Sequence, residues 1–249
     1  AAAMNTAYTA NGNGEISGLG NEAITLDDTS LAAAALNTLN NNTTGVVNAA
    51  SVITLTSDTI SNIKTLLTAG NNTNQFTANS FSNLTSVVVV GSTLDASDLV
   101  DAIDEANIAT GNTTTVFDIS ASTTITGSEA NFTNLLADET NNQVSIINQN
   151  LTVNSGTISV DNANLLDATT NGAVTAEIDS TETVDELQTL TGTHAYTIVI
   201  AEGDATGSTA TEFNSINGKT SVAIDASAVT GLASDTISNI KTLLTAGNN

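Results

Sequence analysis

The sequence contains no cysteine, proline, tryptophan or arginine, and its basic side chains are three lysines set against 26 acidic residues. The absence of cysteine excludes a disulfide framework and any thiolate ligand or nucleophile. The formal net charge of −23 argues against nucleic acid and anionic membrane surfaces as partners, because phosphate binding depends on lysine and arginine. Charge of one sign favours solubility instead.

The sequence also lacks long apolar runs and is poor in aromatic residues. No stretch approaches the roughly 18 apolar residues of a membrane-spanning helix, and the first residues lack the charged start and apolar stretch of a signal peptide. Aromatic residues make up 3% of the chain, whereas apolar residues make up 40%. This apolar share is too high for a disordered acidic tail, so we expect a core of leucine, isoleucine, valine and alanine.

One segment of sixteen residues, SDTISNIKTLLTAGNN, occurs twice without a substitution. The two copies lie at residues 57–72 and 234–249, so they are 177 positions apart (234 minus 57). The copies form the clearest internal repeat, and repeats of this kind point to an array of similar units. We therefore predict one repeat unit over residues 57–233, with 234–249 beginning the next unit. The whole chain, 1–249, is then one continuous window of a longer array.

Within and around the copies, a β-prone stretch is followed by a capping residue, a short helical pattern and a turn rich in asparagine, glycine and threonine. In the second copy the apolar residues recur at helical spacing: Ile237, Ile240, Leu243 and Leu244. Serine, threonine and aspartate are favoured caps at helix starts. Similar helix starts are predicted near Thr29, Thr59, Asp95, Ser128, Asp161, Thr183, Thr209 and Thr236.

A strand–helix unit of about 30 residues cannot bury its own apolar face, but it can do so when it is stacked on its neighbours. The fold prediction is therefore an α/β or mainly β solenoid of stacked strand–short-helix coils, with parallel strands and about 30 residues per coil. The absence of proline fits a long strand ladder, because proline cannot donate to the ladder. A doubly wound α/β domain is the competing interpretation, and the shortness of the helical patterns favours the solenoid.

The acidic residues near helix starts and turns suggest two roles. Stacked coils would bring carboxylates into rows about 4.8 Å apart, and calcium takes its ligands from carboxylate and carbonyl oxygens. The candidate metal ligands are Asp27, Asp28, Asp58 and Asp235. Helix capping and a solvated acidic face are the alternative, since carboxylates are stabilised near helix N-termini. Neither the calcium loop of EF-hands nor the glycine-rich calcium nonapeptide is present.

Catalytic signals are absent from the sequence. His194 is the single histidine, and no nucleophile or nucleophile elbow accompanies it. Acid–base work at paired carboxylates is disfavoured where the pairs are adjacent in sequence, because neighbours on a helix do not face each other. A polysaccharide-degrading β-helix would use arginine, lysine or aromatic platforms for sugars, which this chain largely lacks. We predict that the protein is not an enzyme.

The segment ISGLGNEAITLDDTSLAAAALNTLNNNTTGVVNAASVITLT, at residues 16–56, resembles repeats of very large cell-surface proteins of marine unicellular cyanobacteria. Proteins of this family are rich in threonine, asparagine and alanine, acidic and nearly free of cysteine, and one is needed for swimming without flagella. The resemblance implies secretion, assembly on the cell exterior and a structural role. It carries over no catalytic residue.

The predicted function is that of a structural repeat protein in an extracellular filament, fibre or surface layer. Its expected partners are copies of itself, with surface polysaccharide as a further candidate and with no nucleic acid or membrane insertion. The alternative is a cell-surface adhesin or binding module, stiffened by Ca²⁺. No other cofactor is predicted.

Overall fold

The computed structural model describes residues 1–111, 113–201 and 207–247. Residues 112 and 202–206 of the predicted repeat unit, and residues 248–249 of the segment that follows it, lie outside the described residues. Internal packing divides the chain into two compact units. The first unit comprises Ala1–Thr123 and Asn134–Ile146, and the second comprises Thr124–Thr133 and Ile147–Asn249.

Strands and helices alternate in the first part of the chain. The strands are β1 (Ile24–Thr25), β2 (Ser30–Ala32), β3 (Val47–Asn48), β4 (Thr54–Thr59), β5 (Ser86–Val90), β6 (Thr93–Asp95) and β7 (Val116–Asp118). The helices are α1 (Ala2–Gly12), α2 (Ala33–Asn42), α3 (Ile60–Gly70) and α4 (Ala96–Thr110).

The same alternation continues in the rest of the chain. The strands are β8 (Thr124–Ser128), β9 (Asn150–Ser155), β10 (Val174–Glu177) and β11 (Ala195–Thr197). The helices are α5 (Glu129–Thr140), α6 (Val160–Thr169), α7 (Val184–Leu187), α8 (Ala210–Asn217) and α9 (Ile237–Ala246). No helix in the described part of the chain is both long and apolar enough to cross a membrane.

The strands form three sheets of two, four and five members. In the first unit β1 pairs with β3, and a four-stranded sheet has the order β2-β4-β5-β7. In the second unit β11, β10, β9 and β8 lie side by side in that order. The pairs with a defined register are parallel, as expected where a helix connects successive strands.

The predicted solenoid of stacked short coils is wrong, because three separate parallel sheets alternate with helices in an α/β fold. The helices are longer than the sequence pattern indicated: α3, α4 and α5 have 11, 15 and 12 residues, or about three to four turns. The spacing of paired strands is also irregular. Thr175 pairs with Ala195, 20 positions on, whereas Thr54 pairs with Ser86, 32 positions on.

Most of the helix starts follow from the capping residues in the sequence. Side-chain oxygens at the N-cap accept backbone N–H groups at Thr59, Asp95, Thr183, Thr209 and Thr236. The helix predicted near Asp161 begins at Val160, behind the N-cap Ser159, and α2 follows Ala32 without a side-chain cap. The helix α1 was not predicted.

The core is aliphatic, as composition predicts, but the few aromatic residues are also part of it. All five phenylalanines are at most 4% exposed, and both tyrosines are buried. Each aromatic ring buries a large apolar area, so seven rings contribute more to the core than their number suggests. The aromatic residues are Tyr8, Phe76, Phe81, Phe117, Phe132, Tyr196 and Phe213.

Two turns after helices require glycine because the chain passes very close to a preceding segment. A Cβ at Gly45 would lie 2.2 Å from the carbonyl oxygen of Glu22, and a Cβ at Gly172 would lie 2.3 Å from that of Gln149. In both turns the threonine two residues earlier donates its hydroxyl to the same carbonyl: Thr43 Oγ1 to Glu22 O and Thr170 Oγ1 to Gln149 O, at 2.8 and 2.6 Å. These turns fix helix ends against the preceding segment.

Replacing Gly45 with alanine should lower the free energy of unfolding by about 2 kcal/mol or more, because the added methyl group meets backbone atoms that cannot rotate away. Gly12→Ala is the matched control, since a Cβ there meets nothing within 4 Å. Chemical denaturation of both variants measures the difference. Equal stability of the two variants would show that the close approach at Gly45 is not rigid.

Candidate functional site

Asp58, at the end of β4, joins the N-terminus of its own helix α3 to that of the neighbouring helix α2. Its Oδ2 accepts the backbone N–H of Ala34 at 2.6 Å. Its Oδ1 accepts the backbone N–H of Thr59 at 2.8 Å and the side-chain amide of Asn62 at 2.7 Å. The side chain is 8% exposed. The carboxylate is thereby stabilised by N–H groups that the first turns of both helices leave unpaired.

Asp235, the equivalent residue in the second copy of the sixteen-residue segment, makes the equivalent bonds and accepts one more, from a threonine hydroxyl. Its Oδ2 accepts the backbone N–H and the hydroxyl of Thr211 at 2.7 and 2.8 Å. Its Oδ1 accepts the backbone N–H of Thr236 and the amide of Asn239 at 2.6 and 2.8 Å. Hydrogen bonds from Asn239 and Thr211 lower the pKa of Asp235 to about 2. Hydrogen bonding of the charged form explains this direction.

An asparagine on the preceding helix completes the connection in both copies. Asn37 donates its amide to the carbonyl oxygen of Asn62 at 2.9 Å, and Asn214 donates to that of Asn239 at 3.0 Å. Each pair of equivalent residues is 177 positions apart. We call this set of contacts the helix joint: the aspartate and the asparagine pair that link α2 to α3, or α8 to α9. The helix joint consists of Asn37, Asp58 and Asn62, or of Asn214, Asp235 and Asn239.

The structure does not bring the four candidate calcium ligands together as a metal-binding group. Asp58 and Asp235 direct their oxygens at N–H and hydroxyl groups in the helix joints, Asp28 accepts the N-terminal ammonium of Ala1, and Asp27 is exposed. Residues 1–111, 113–201 and 207–247 contain no cluster of three or more histidine, cysteine or acidic side chains that could hold a metal. Calcium binding stays a prediction, and melting with excess chelator is its test.

Two glutamates that the sequence interpretation missed have the same role at helix α6. Glu129 Oε1 accepts the backbone N–H of Ser159 at 3.1 Å and the amide of Asn162 at 2.7 Å. Glu182 Oε1 accepts the backbone N–H of Val160 at 2.9 Å. The bond from Asn162 and those from Ser159 hold the pKa of Glu129 low despite its burial. A signal was present, since each glutamate lies at or just before the start of a helix.

His194 contacts an aspartate through one ring nitrogen and the backbone through the other. Its Nε2 lies 2.5 Å from Oδ1 of Asp167, and its Nδ1 accepts the backbone N–H of Val174 at 3.2 Å. The acceptor role of Nδ1 places the proton on Nε2, which donates to the carboxylate. Burial raises the pKa of Asp167, but the hydrogen bonds from His194 and Thr191 outweigh it and lower the pKa overall. Both ring nitrogens of His194 therefore have partners within the described residues.

Asp138 is the exception among the buried acids. The side chain is 8% exposed, and its Oδ2 finds no hydrogen-bond partner among the described residues. Burial, with a smaller contribution from the charge of Asp104, raises the pKa of Asp138 to about 6. Desolvation of an unpaired carboxylate favours its protonated form, so Asp138 destabilises the fold at neutral pH.

The apolar side of α9 is half-buried or exposed, although Ile63, Leu66 and Leu67 are buried in α3. Leu67 is fully buried in α3, whereas its equivalent Leu244 is 64% exposed, and Ile237 is 82% exposed. Beside α9 lies a groove of about 620 Å³. Its lining includes Phe213, Ile224, Val229, Leu243, Leu244 and Gly247. We call this groove, together with the apolar side of α9, the α9 surface.

Comparison of the chain with protein-family models, with curated proteins and with solved structures found no match. The candidate site is therefore defined by the geometry of the described residues, which includes two equivalent helix joints and the α9 surface.

Asp58→Ala should lower the free energy of unfolding by about 1 to 3 kcal/mol, because the N–H of Ala34 and the amide of Asn62 lose their acceptor. Asp27→Ala, which removes an exposed carboxylate, should change it by less than about 0.5 kcal/mol. Urea denaturation at pH 7 measures both variants. A loss at Asp58 no larger than that at Asp27 would contradict the structural role of the helix joint.

Asp138→Asn should raise the free energy of unfolding at pH 7 by about 1 to 2 kcal/mol, after allowance for solvent screening. The native pKa of about 6 exceeds the ordinary 3.8, so between these pH values the native state holds more protons than the unfolded state. Wild-type stability therefore falls as pH rises through this window. At pH 4 the substitution should have little effect. Denaturation curves at pH 4 and 7 measure the change in the free energy of unfolding that Asp138→Asn causes. An equal change at both pH values would exclude titration of Asp138 as the cause.

Proposed function

We propose that the chain is a structural repeat protein of an extracellular filament, fibre or surface layer, and that its partners are units of like sequence. The observation that carries this proposal is the recurrence of the helix joint. Two segments 177 positions apart connect to their preceding helices through the same carboxylate and amide contacts. A repeated sequence that rebuilds one helix–helix connection is suited to extending a structure by addition of units.

The use of the polar side chains supports this role. Asp58, Asp235, Glu129 and Glu182 accept N–H groups at helix starts, and both nitrogens of His194 are engaged. These five side chains are therefore occupied in holding helices and strands together. This supports a structural rather than a catalytic role for the protein.

The composition supports an exterior location for the proposed assembly. The chain has no cysteine to oxidise and no arginine, and three lysines leave few sites for trypsin-like proteases. Its formal net charge of −23 opposes nonspecific association, so contacts between units would depend on specific surfaces. The resemblance of residues 16–56 to the surface proteins of unicellular marine cyanobacteria agrees with this location.

Immunogold electron microscopy of intact cells that produce the protein tests the proposal. Antibodies raised against the purified chain should label filaments, fibres or a surface layer outside the cell. Pre-immune serum serves as the control, and permeabilised cells provide the comparison for internal label. Label confined to the cell interior, or to single compact particles, would contradict the proposed function.

A further inference from the structure

The same sequence meets two different environments in α3 and α9. In α3 the residues Ile63, Leu66 and Leu67 are fully buried, whereas in α9 their equivalents are half-buried or exposed. Each helix packs against the helix before it, α3 on α2 and α9 on α8. Because the two sequences are identical, the residues that cover α3 show directly what fits α9.

A loop that contains Phe76 and Phe81 covers part of the buried side of α3. The ring of Phe81 packs on Gly70, where an added Cβ would lie 2.5 Å from a ring carbon. The backbone around Phe76 pairs with Val47, whose N–H donates to Gln75 O at 2.9 Å. Five side chains that line the groove beside α9 have counterparts in the first copy that are all fully buried. These counterparts are Leu36, Val47, Val52, Leu66 and Leu67.

In the described part of the chain, no aromatic ring packs at the corresponding position beside α9. A Cβ at Gly247, the counterpart of Gly70, would have as its nearest contact the carbonyl oxygen of Leu243 at 3.7 Å. The groove of about 620 Å³ in the α9 surface therefore lies where two aromatic rings pack in the first copy. An apolar groove of this size left open by a soluble protein indicates a binding surface.

The helix that covers α3 contributes charged contacts as well as apolar ones, and these distinguish it from a purely apolar partner. Helix α4 packs on α3, and its Asp98 and Asp101 carboxylates lie 2.9 and 2.7 Å from the ammonium of Lys64. The hydrogen bonds that Lys64 donates to Asp101 and Asp98 raise the pKa of Lys64. Lys241, the counterpart of Lys64, has no ion-pair partner within the described ranges and is exposed.

We propose that the α9 surface binds a polypeptide segment with the chemistry of residues 73–110. Such a segment has two phenylalanines that fill the groove, an apolar strand, and an amphipathic helix whose acidic residues meet Lys241. This inference rests on the proposed structural role, because it specifies which part of a similar repeat unit binds the α9 surface. One molecule has a single such segment, already packed on α3, for two helices of identical sequence. The partner segment must therefore come from outside the described residues.

A binding titration in trans tests the proposal. A fluorescently labelled polypeptide of residues 73–111 is titrated with the full chain, and its anisotropy is measured. We expect saturable binding with one segment per chain. Leu244→Asp should weaken binding at least tenfold, because the added charge would be buried under the segment. Thr242→Asp is the matched control and should change binding less than twofold. Its counterpart Thr65 remains exposed even though α4 packs on α3.

Charge reversal checks the orientation of the bound segment. Lys241→Glu should weaken binding about fivefold, and a segment carrying Asp98→Lys and Asp101→Lys should regain most of that loss with this variant. Wild-type chain that binds the segment no more tightly than the Leu244→Asp variant would overturn the proposal. A stable dimer of the chain alone that Leu244→Asp abolishes would also overturn it, because the surface would then accept another molecule of this chain.

A second experiment, in which the segment is fused to the chain, tests the inference even if the free segment does not fold. Residues 73–111 are added directly after Asn249, which raises the local concentration of the segment. Hydrogen exchange of α9 should slow at least tenfold, approaching that of α3, and peptides that include the different flanking residues distinguish the two helices. Unchanged exchange in α9 would refute the inference. Immunogold labelling of cells tests the proposed function separately, so the proposed function and the binding inference can fail independently.

Discussion

The structure depends on carboxylates that accept N–H groups at the starts of neighbouring helices. Asp58 and Asp235 each bond to two helices at once, and Glu182 reaches the first turn of the helix before its own. With three lysines for 26 acidic residues, salt bridges cannot neutralise the acids. Helix N-termini carry partial positive charge, so they supply the favourable field that basic side chains supply in other proteins.

The arrangement also explains why acidic charge and compact packing coexist in this chain. A carboxylate bound to backbone N–H groups is stabilised in its charged form, as the low pKa of Asp235 shows. Asp138, which has no such donors among the described residues, has a raised pKa instead. The contrast shows that it is local donors rather than overall charge that decide whether an acid stabilises the fold.

Local signals in the sequence predicted local structure well, whereas the arrangement of the strands did not follow from them. Thr59 and Thr236 could be identified as caps because capping depends on neighbouring residues alone. The calcium candidates Asp58 and Asp235 were identified as acids at helix starts, and capping was the alternative weighed against metal binding. The three separate sheets could not be predicted, because strand pairing joins positions such as Thr175 and Ala195 that no local pattern connects.

Identical sequences in α3 and α9 separate what the residues determine from what their neighbours determine. Both copies form a helix that begins at the same capping threonine, so these features belong to the segment itself, whereas the helix joint also needs the asparagine on the preceding helix. Burial of Leu67 and pairing of Lys64 occur in the first copy only, so they belong to the segment that follows it. In a chain with three lysines, two stand at equivalent positions of the duplicated segment. The first of them pairs with the acids of α4 and the second is exposed, so the following helix rather than the lysine itself decides whether the charge is paired.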